Sequence, residues 1–355
     1  MINNKITVGI TQGDGNGIGY EVIIKALADQ RILDSFTPVI YGSSKVFGFY
    51  RKLIHNLDPL DTYVINSAKE ARLKKINILN CLPDNIFVEP GQSTPESAKS
   101  AITSLERAVA DLKAGDIDVL VTAPINKRAM SSAGFGFTGH TEYLKKEFGV
   151  SDVAMFMISE HLKIGVVTGH IPLKDVPSSI SKEKILTKLR LMDASLRRDF
   201  GVTRPKIAVL GLNPHCGENG LFGREEIDEI IPVMEAARAE GIHVEGPVPP
   251  DTIFSKARGG WYDMVVAMYH DQGHIPLKLV GFVYNQAEKK WDAVEGVNIT
   301  LGLPIVRTSV DHGTAFDQAG LGIANELSLV NAIHYGIRLA KSNRKHRQDT
   351  EGKNS

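Results

Sequence analysis

The sequence predicts an α/β fold built from two α/β/α sandwich domains. Three observations predict it: the length, a set of short uninterrupted apolar runs, and amphipathic segments alternating with those runs. At 355 residues the chain exceeds what a single hydrophobic core usually serves, which favours two domains. The runs Ile6 to Ile10, Pro38 to Tyr41, Val119 to Thr122, Lys163 to Val167, Ile207 to Leu210 and Met264 to Ala267 read as strands. Continuous apolar runs suit a parallel sheet buried on both faces, where helices cover each side.

Among the helices, Ser97 to Lys113 is the clearest. It places Ala98, Ala101, Ile102, Leu105, Ala108, Val109 and Leu112 on one face, and Gly115 follows as a stop. Lys182 to Phe200 and Glu225 to Glu240 read as two more helices, and Glu326 to Lys341 as the last. Strand, loop and helix in repetition is the signature of the sandwich. No internal repeat or long flexible linker interrupts it.

Composition narrows the function classes. Apolar content of 43% and charged content of 23% are those of an ordinary globular protein. Lys plus Arg equals Asp plus Glu at 41 each, so no overall field attracts nucleic acid or an anionic membrane. The basic run from Lys341 to Arg347 leads into a polar end and reads as a solvated tail. Cys81 and Cys216 are too few for a disulfide framework, and the N-terminus lacks the order of a signal peptide. A cytoplasmic location is therefore expected, and no apolar stretch is long enough to predict a membrane span.

In open α/β sheets, ligands gather at the carboxyl ends of strands. The segments there are Thr11 to Asp14, Ala123 to Lys127, Gly169-His170, Asn213 to His215 and Tyr269 to Asp271. One buried histidine alone is usually a satisfied core or loop residue. Three of them, His170, His215 and His270, each just past a strand, match the ligand count of a catalytic metal site with one position open. Nitrogen donors point to zinc or a similar divalent ion. Cys216 adjoins a ligand candidate and is assigned to packing.

Three further segments each carry two readings. The stretch Gly13-Asp14-Gly15-Asn16-Gly17-Ile18-Gly19 offers backbone N–H groups to a cofactor phosphate, or is a tight turn needing positive φ. Its glycine spacing does not match the dinucleotide fingerprint. Thr141, after His140, caps a helix running to Phe148, or the pair meets a phosphate at that helix start, with Lys278, Asn298 and Arg307 completing an anion pocket. The loop from Asp311 to Asp317 is a simple connection, or it wraps a nucleotide.

Taken in order, the segments GDGNGIG, VTAPINK, GHTEYL, TGHIPL, GLNPHCGE, GPVPPDT, YHDQGHIPLK and VNITLGLPIVRTSVDHGTAFD closely resemble the 4-hydroxythreonine-4-phosphate dehydrogenase family of vitamin B6 synthesis. The likeness spans nearly the whole chain. It implies a two-domain fold similar to the isocitrate and isopropylmalate dehydrogenases, working as a homodimer with the active site in the interdomain cleft at the dimer interface. On this likeness residues 1–128 join 262–345 in one domain, 129–261 form the second with the dimer contacts, and 346–355 are a polar tail. It also implies NAD or NADP bound without a Rossmann fingerprint, and a divalent metal (zinc, with magnesium or cobalt as alternatives) on His170, His215 and His270.

Carried over by motif, His140, Thr141, Lys278, Asn298 and Arg307 contact the phosphorylated substrate. Asp251, Asp271 and Lys278 are the catalytic candidates. Gly13, Asp14, His312, Gly313, Thr314 and Asp317 are the cofactor candidates. The implied reaction is oxidation of the C3 hydroxyl of 4-phosphooxy-L-threonine followed by loss of carbon dioxide. Paralogues acting on threonate or erythronate 4-phosphate or a cyclic diol acid are the nearest alternative, and a non-catalytic metal-binding protein the next. Two departures stand out: Tyr20 replaces the proline that commonly follows the glycine stretch, and the segment from Val283 to Gly296 is longer than the family's usual link.

Overall fold

The computed structural model describes residues 5–294 and 296–351. Its elements run β1 (Ile6–Thr11), α1 (Gly19–Ala26), β2 (Phe36–Gly42), α2 (Ser44–Leu53), β3 (Thr62–Ile65), β4 (Ile76–Asn80), α3 (Pro95–Ala114), β5 (Val119–Thr122), α4 (Lys127–Ser132) and α5 (His140–Glu147). Then come β6 (Ala154–Ile158), β7 (Lys163–Val166), α6 (Val176–Ser179), α7 (Lys182–Arg198), β8 (Ile207–Leu210), α8 (Ile231–Ala239), β9 (Val244–Val248), α9 (Pro250–Arg258), β10 (Met264–Ala267) and α10 (His270–Gly281). The chain closes with β11 (Phe282–Asn285), β12 (Lys290–Val294), β13 (Val297–Leu301), β14 (Val306–Val310) and α11 (Leu327–Glu351). Every predicted strand is present, within two residues of its expected ends.

The chain divides into two compact units, residues 1–147 with 304–341, and 148–303 with 342–355. The first carries strands in the order β3-β4-β2-β1-β5-β14, all parallel. Its strand residues Ile6, Val8, Ile10, Ile40, Ile78, Val119 and Val121 are buried. The second carries β13-β6-β7-β10-β8-β9, where β7, β10, β8 and β9 are parallel and β6 runs antiparallel to both its neighbours. The likeness divided the chain elsewhere. Residues 262–303 group with the second unit because β10 inserts between β7 and β8, and residues 129–147 group with the first.

Local chemistry explains the clearest helix. Thr94 caps α3 by accepting from the Ser97 N–H at 3.1 Å, Pro95 opens the first turn, and Gly115 at φ 76° ends it. Two expectations change and a third is refined. Glu225 to Glu240 is helical through Ala239, as expected, but its first turn, Glu226–Ile230, is π-helical before α8 continues. Pro232 at the start of α8 lacks an N–H and its ring crowds the carbonyl one turn back, which a widened turn accommodates. Thr141 is not a cap, since α5 already begins at His140. The basic tail after Lys341 is helical, because α11 continues to Glu351 and buries Asn343. The long segment after Val283 forms an antiparallel hairpin, β11 with β12.

Tyr20, at the departure from the family pattern, is fully buried on α1. Its hydroxyl donates to Gln12 Oε1 at 2.5 Å and accepts from the Ser43 N–H at 2.8 Å, tying the loop after β1 to the loop after β2. Tyr20→Phe strands both partners in a dry environment, where an unmet polar group costs about 1–3 kcal/mol. Chemical denaturation of this variant is expected to show an unfolding free energy lower by that amount, seen as a lowered midpoint with an unchanged denaturant slope.

Candidate active site

In the second unit the three candidate ligands leave three neighbouring strands. β10 pairs with β7 through Val265↔Ile164 and with β8 through Val265↔Ala208, so the strands end side by side. His170 follows β7, His270 follows β10 and His215 follows β8. The rings of His170 and His270 have centroids 5.2 Å apart. Two imidazoles ligating one ion at about 2.0–2.1 Å reach that separation. Among the described residues no group of three or more His, Cys, Asp or Glu side chains is assembled that could hold a metal ion. The predicted trio is thus a ring pair, with His215 brought to the same end of the sheet on its own loop.

The donor chemistry fits a divalent cation. His270 Nδ1 donates to Asp271 Oδ1 at 2.7 Å, which fixes the tautomer and leaves Nε2 with its lone pair. Sequence reasoning missed His274. One helical turn past His270 on α10, its ring stacks on His270 at 3.9 Å with an interplanar angle of 4°. Burial pushes His274 down to about 4, so it stays neutral, and its Nδ1 donates to the His270 carbonyl at 2.8 Å. The i, i+4 spacing of His270, His274 and Lys278 was the available signal. Gly273 allows α10 to lie this close to the sheet, since a Cβ there would meet the Ile164 side chain at 2.5 Å.

His215 begins a rarer feature. His215, Cys216, Gly217, Glu218 and Asn219 have φ of 50, 55, 78, 41 and 55°, a run of left-handed backbone. Each non-glycine residue in that conformation costs roughly 1–2 kcal/mol. Buried Glu226 braces the segment just before it, accepting from the N–H groups of Leu212 and Asn213, both at 2.7 Å. Desolvation first, then the charge of Glu226 and, more weakly, that of Asp251 in the first turn of α9, push the Cys216 thiol up. Asn298 lies on β13 opposite Met157, half-buried, and Lys278 Nζ stands 5.6 Å from the Phe282 ring centre.

The first unit collects its polar candidates where strand order reverses, around β1 and β5. Arg307 on β14 is 5% exposed and donates from Nη2 to Thr122 Oγ1 at 2.6 Å. Desolvation lowers it to about 10, still cationic at neutral pH. Desolvation first, then the charges of Arg307 and Lys127, hold His140 well below the usual 6.5, and its Nε2 is buried without a hydrogen bond. A cavity of about 630 Å³ in the same unit is lined by Lys127, Arg128, Ser131, Phe135, Phe137 and Thr138.

The glycine turn is wholly buried. The N–H groups of Asp14, Asn16, Gly17 and Ile18 donate to Pro124 O, Asp14 Oδ1, Asp14 O and Thr314 O. Gly13 has φ 69°, and a Cβ at Gly17 would meet Thr314 O at 2.9 Å, so the glycines answer to backbone approach. The Asp311 to Asp317 loop is irregular, as expected. Within it, burial lowers His312, whose Nδ1 bonds the Gly313 carbonyl at 3.0 Å, while Gly313 and Asp317 are exposed.

Largely parallel sheets with polar loops at the carboxyl ends of their strands define an α/β protein of the class whose small-molecule sites form at those ends. The family model described as pyridoxal phosphate biosynthetic protein PdxA matches residues 34–336, and the chain belongs to that family. It is 41% identical over 349 residues to a 4-hydroxythreonine-4-phosphate dehydrogenase of Bacteroides thetaiotaomicron, covering 98% of this chain and 92% of that one. It is 42% identical over 337 residues to a D-threonate 4-phosphate dehydrogenase of Cupriavidus necator, covering 94% and 97%. The crystal structure of the Klebsiella pneumoniae 4-hydroxythreonine-4-phosphate dehydrogenase superposes with a TM-score of 0.83 at 38% identity, covering 96% and 99%. These relatives are dehydrogenases, and the chain is an oxidoreductase of their kind. Among the described residues no helix is long and apolar enough to cross a membrane.

The depressed His140 makes a pH prediction. The unfolded chain takes up its proton near 6.5 and the folded chain only well below, so stability holds above about pH 6.5 and falls as pH drops through that value. His140→Gln removes this share. Urea midpoints measured between about pH 7 and pH 5 are expected to fall less steeply in the variant than in the parent.

Proposed function

We propose that the chain oxidises the C3 hydroxyl of 4-phosphooxy-L-threonine with NAD or NADP to 2-amino-3-oxo-4-phosphooxybutanoate, which then loses carbon dioxide to give 3-amino-2-oxopropyl phosphate. The observation that carries this reading is the delivery of His170, His270 and His215 at the ends of three adjacent parallel strands. A divalent metal held there (zinc, magnesium or cobalt) would supply Lewis acidity, and a bound NAD or NADP would supply the hydride acceptor.

The chain's own residues supply the rest. His170, His215 and His270 offer imidazole donors, and Asp271 keeps His270 in the tautomer that can donate its lone pair. Asp251 accepts the hydroxyl proton, and Lys278 offsets the negative charge that its departure leaves on the substrate oxygen. Arg307, His140, Thr141, Lys278 and Asn298 contact the phosphate, which turns remote binding energy into positioning at C3. His312, Gly313, Thr314 and Asp317 hold the cofactor. The turn at Gly13 and Asp14 braces that loop through the Ile18 N–H, which donates to the Thr314 carbonyl at 3.0 Å. The working form in this reading is a cytoplasmic homodimer.

A second reading has specific support in the Cupriavidus relative: oxidation of D-threonate 4-phosphate, which carries a hydroxyl where the first substrate carries an amino group. A panel of both phosphorylated acids with NAD and NADP, run with each metal, separates the two, and turnover of neither overturns both. His215→Ala is expected to abolish turnover while leaving the unfolding midpoint near that of the parent; activity persisting with a chelator present would sink the metal assignment. Arg307→Met is expected to lower kcat/KM for a phosphorylated substrate roughly 10- to 100-fold, as loss of a charged hydrogen bond does. An equal loss for the unphosphorylated analogue would remove Arg307 from the phosphate site.

A further inference from the structure

We infer that Glu226 is the positioning residue for His215, an inference that rests on the proposed metal role of that histidine. Glu226 is 1% exposed, in the π-helical turn Glu226–Ile230. Its Oε1 accepts from two consecutive backbone N–H groups, Leu212 and Asn213, and its Oε2 accepts from Asn213 Nδ2 at 3.0 Å. All these partners immediately precede Pro214 and the left-handed run that starts at His215. The run itself packs on the same carboxylate, because a Cβ at Gly217 would meet Glu226 Oε2 at 2.8 Å.

A carboxylate in so dry a place is costly unless its oxygens are met by donors. Here they are met by the loop. An apolar side chain would fill the same space without that requirement, but it would direct nothing. Left to itself, a run of non-glycine residues with positive φ relaxes toward the right-handed region, and the His215 ring would leave with it. Gln272 completes the bracket. Its Nε2 donates to the Gly211 carbonyl at 2.8 Å, and its Oε1 accepts from the Met268 N–H at 2.7 Å. The Glu226-held loop is thereby fastened to the backbone that leads into His270.

The test is metal affinity of the purified full chain, read by Co²⁺ titration against a competing chromophoric chelator. Glu226→Gln keeps the shape but turns one acceptor into a donor facing other donors, so affinity is expected to fall about 10- to 100-fold, the effect of losing an outer partner of a ligand. Ile185→Val, a core change on α7, is expected to leave affinity at the parental value, which separates positioning from general loss of stability. Should Glu226→Gln not fold, Asn213→Ala removes only the side-chain donor and is expected to weaken binding in the same direction. Parental affinity in the folded Glu226 variant, or in Asn213→Ala if it replaces it, overturns the inference when His215→Ala has lost binding, as does an equal loss in Ile185→Val. Parental affinity in His215→Ala instead overturns the metal reading on which the inference stands.

Discussion

The parallel insertion of β10 between β7 and β8 is the constraint on which the chemistry proposed for the second unit depends. Parallel strands need a crossover between them, so each of the three must end in its own loop, and all three loops emerge at the same end of the sheet. Pairing Val265 with both Ile164 and Ala208 then sets the heights at which those loops begin. A register slip of one residue would exchange the two faces of a strand and bury its loop-facing residue among the helices. Alignment of the histidines is therefore a property of sheet geometry first and of the histidines second.

Burial shapes the electrostatics built on this frame. His274 is kept neutral by desolvation against a backbone hydrogen bond that favours its charged form, so burial is the larger effect. In the first unit desolvation lowers both Arg307 and His140, yet leaves one cationic and the other uncharged at neutral pH. The left-handed run at His215 adds backbone strain, and strain of this kind persists only where its surroundings over-determine it. A buried carboxylate with three donors from one short segment is such a determinant.

Periodicity made the strands and α3 legible, because a buried parallel strand and an amphipathic helix each impress a simple repeat on the chain. His170, His215 and His270 were legible as strand-end residues for the same reason. Other features were hidden by distance along the chain. Glu226 acts on residues thirteen and fourteen positions earlier, which no local pattern records. The grouping of residues 262–303 with the second unit follows from where β10 enters the sheet, a choice that its composition does not encode. Thr141 carried a capping signal that the earlier helix start at His140 overrode, and Pro232 was a visible proline whose cost the π-helical turn absorbs. Helix α11 outran its apolar face because basic residues are good helix formers once a helix is nucleated.

The glycine turn has a consequence for redesign. A loop whose amides at positions 14, 16, 17 and 18 already face carbonyl or carboxylate oxygens of the same fold leaves those amides no vacancy for a pyrophosphate. Under the proposed cofactor assignment, the choice between two nicotinamide coenzymes is thus separable from the most glycine-rich segment of the chain. Mutational libraries aimed at coenzyme preference belong in the Asp311 to Asp317 loop, while the glycines, hemmed in by backbone, are better left as fixed scaffold.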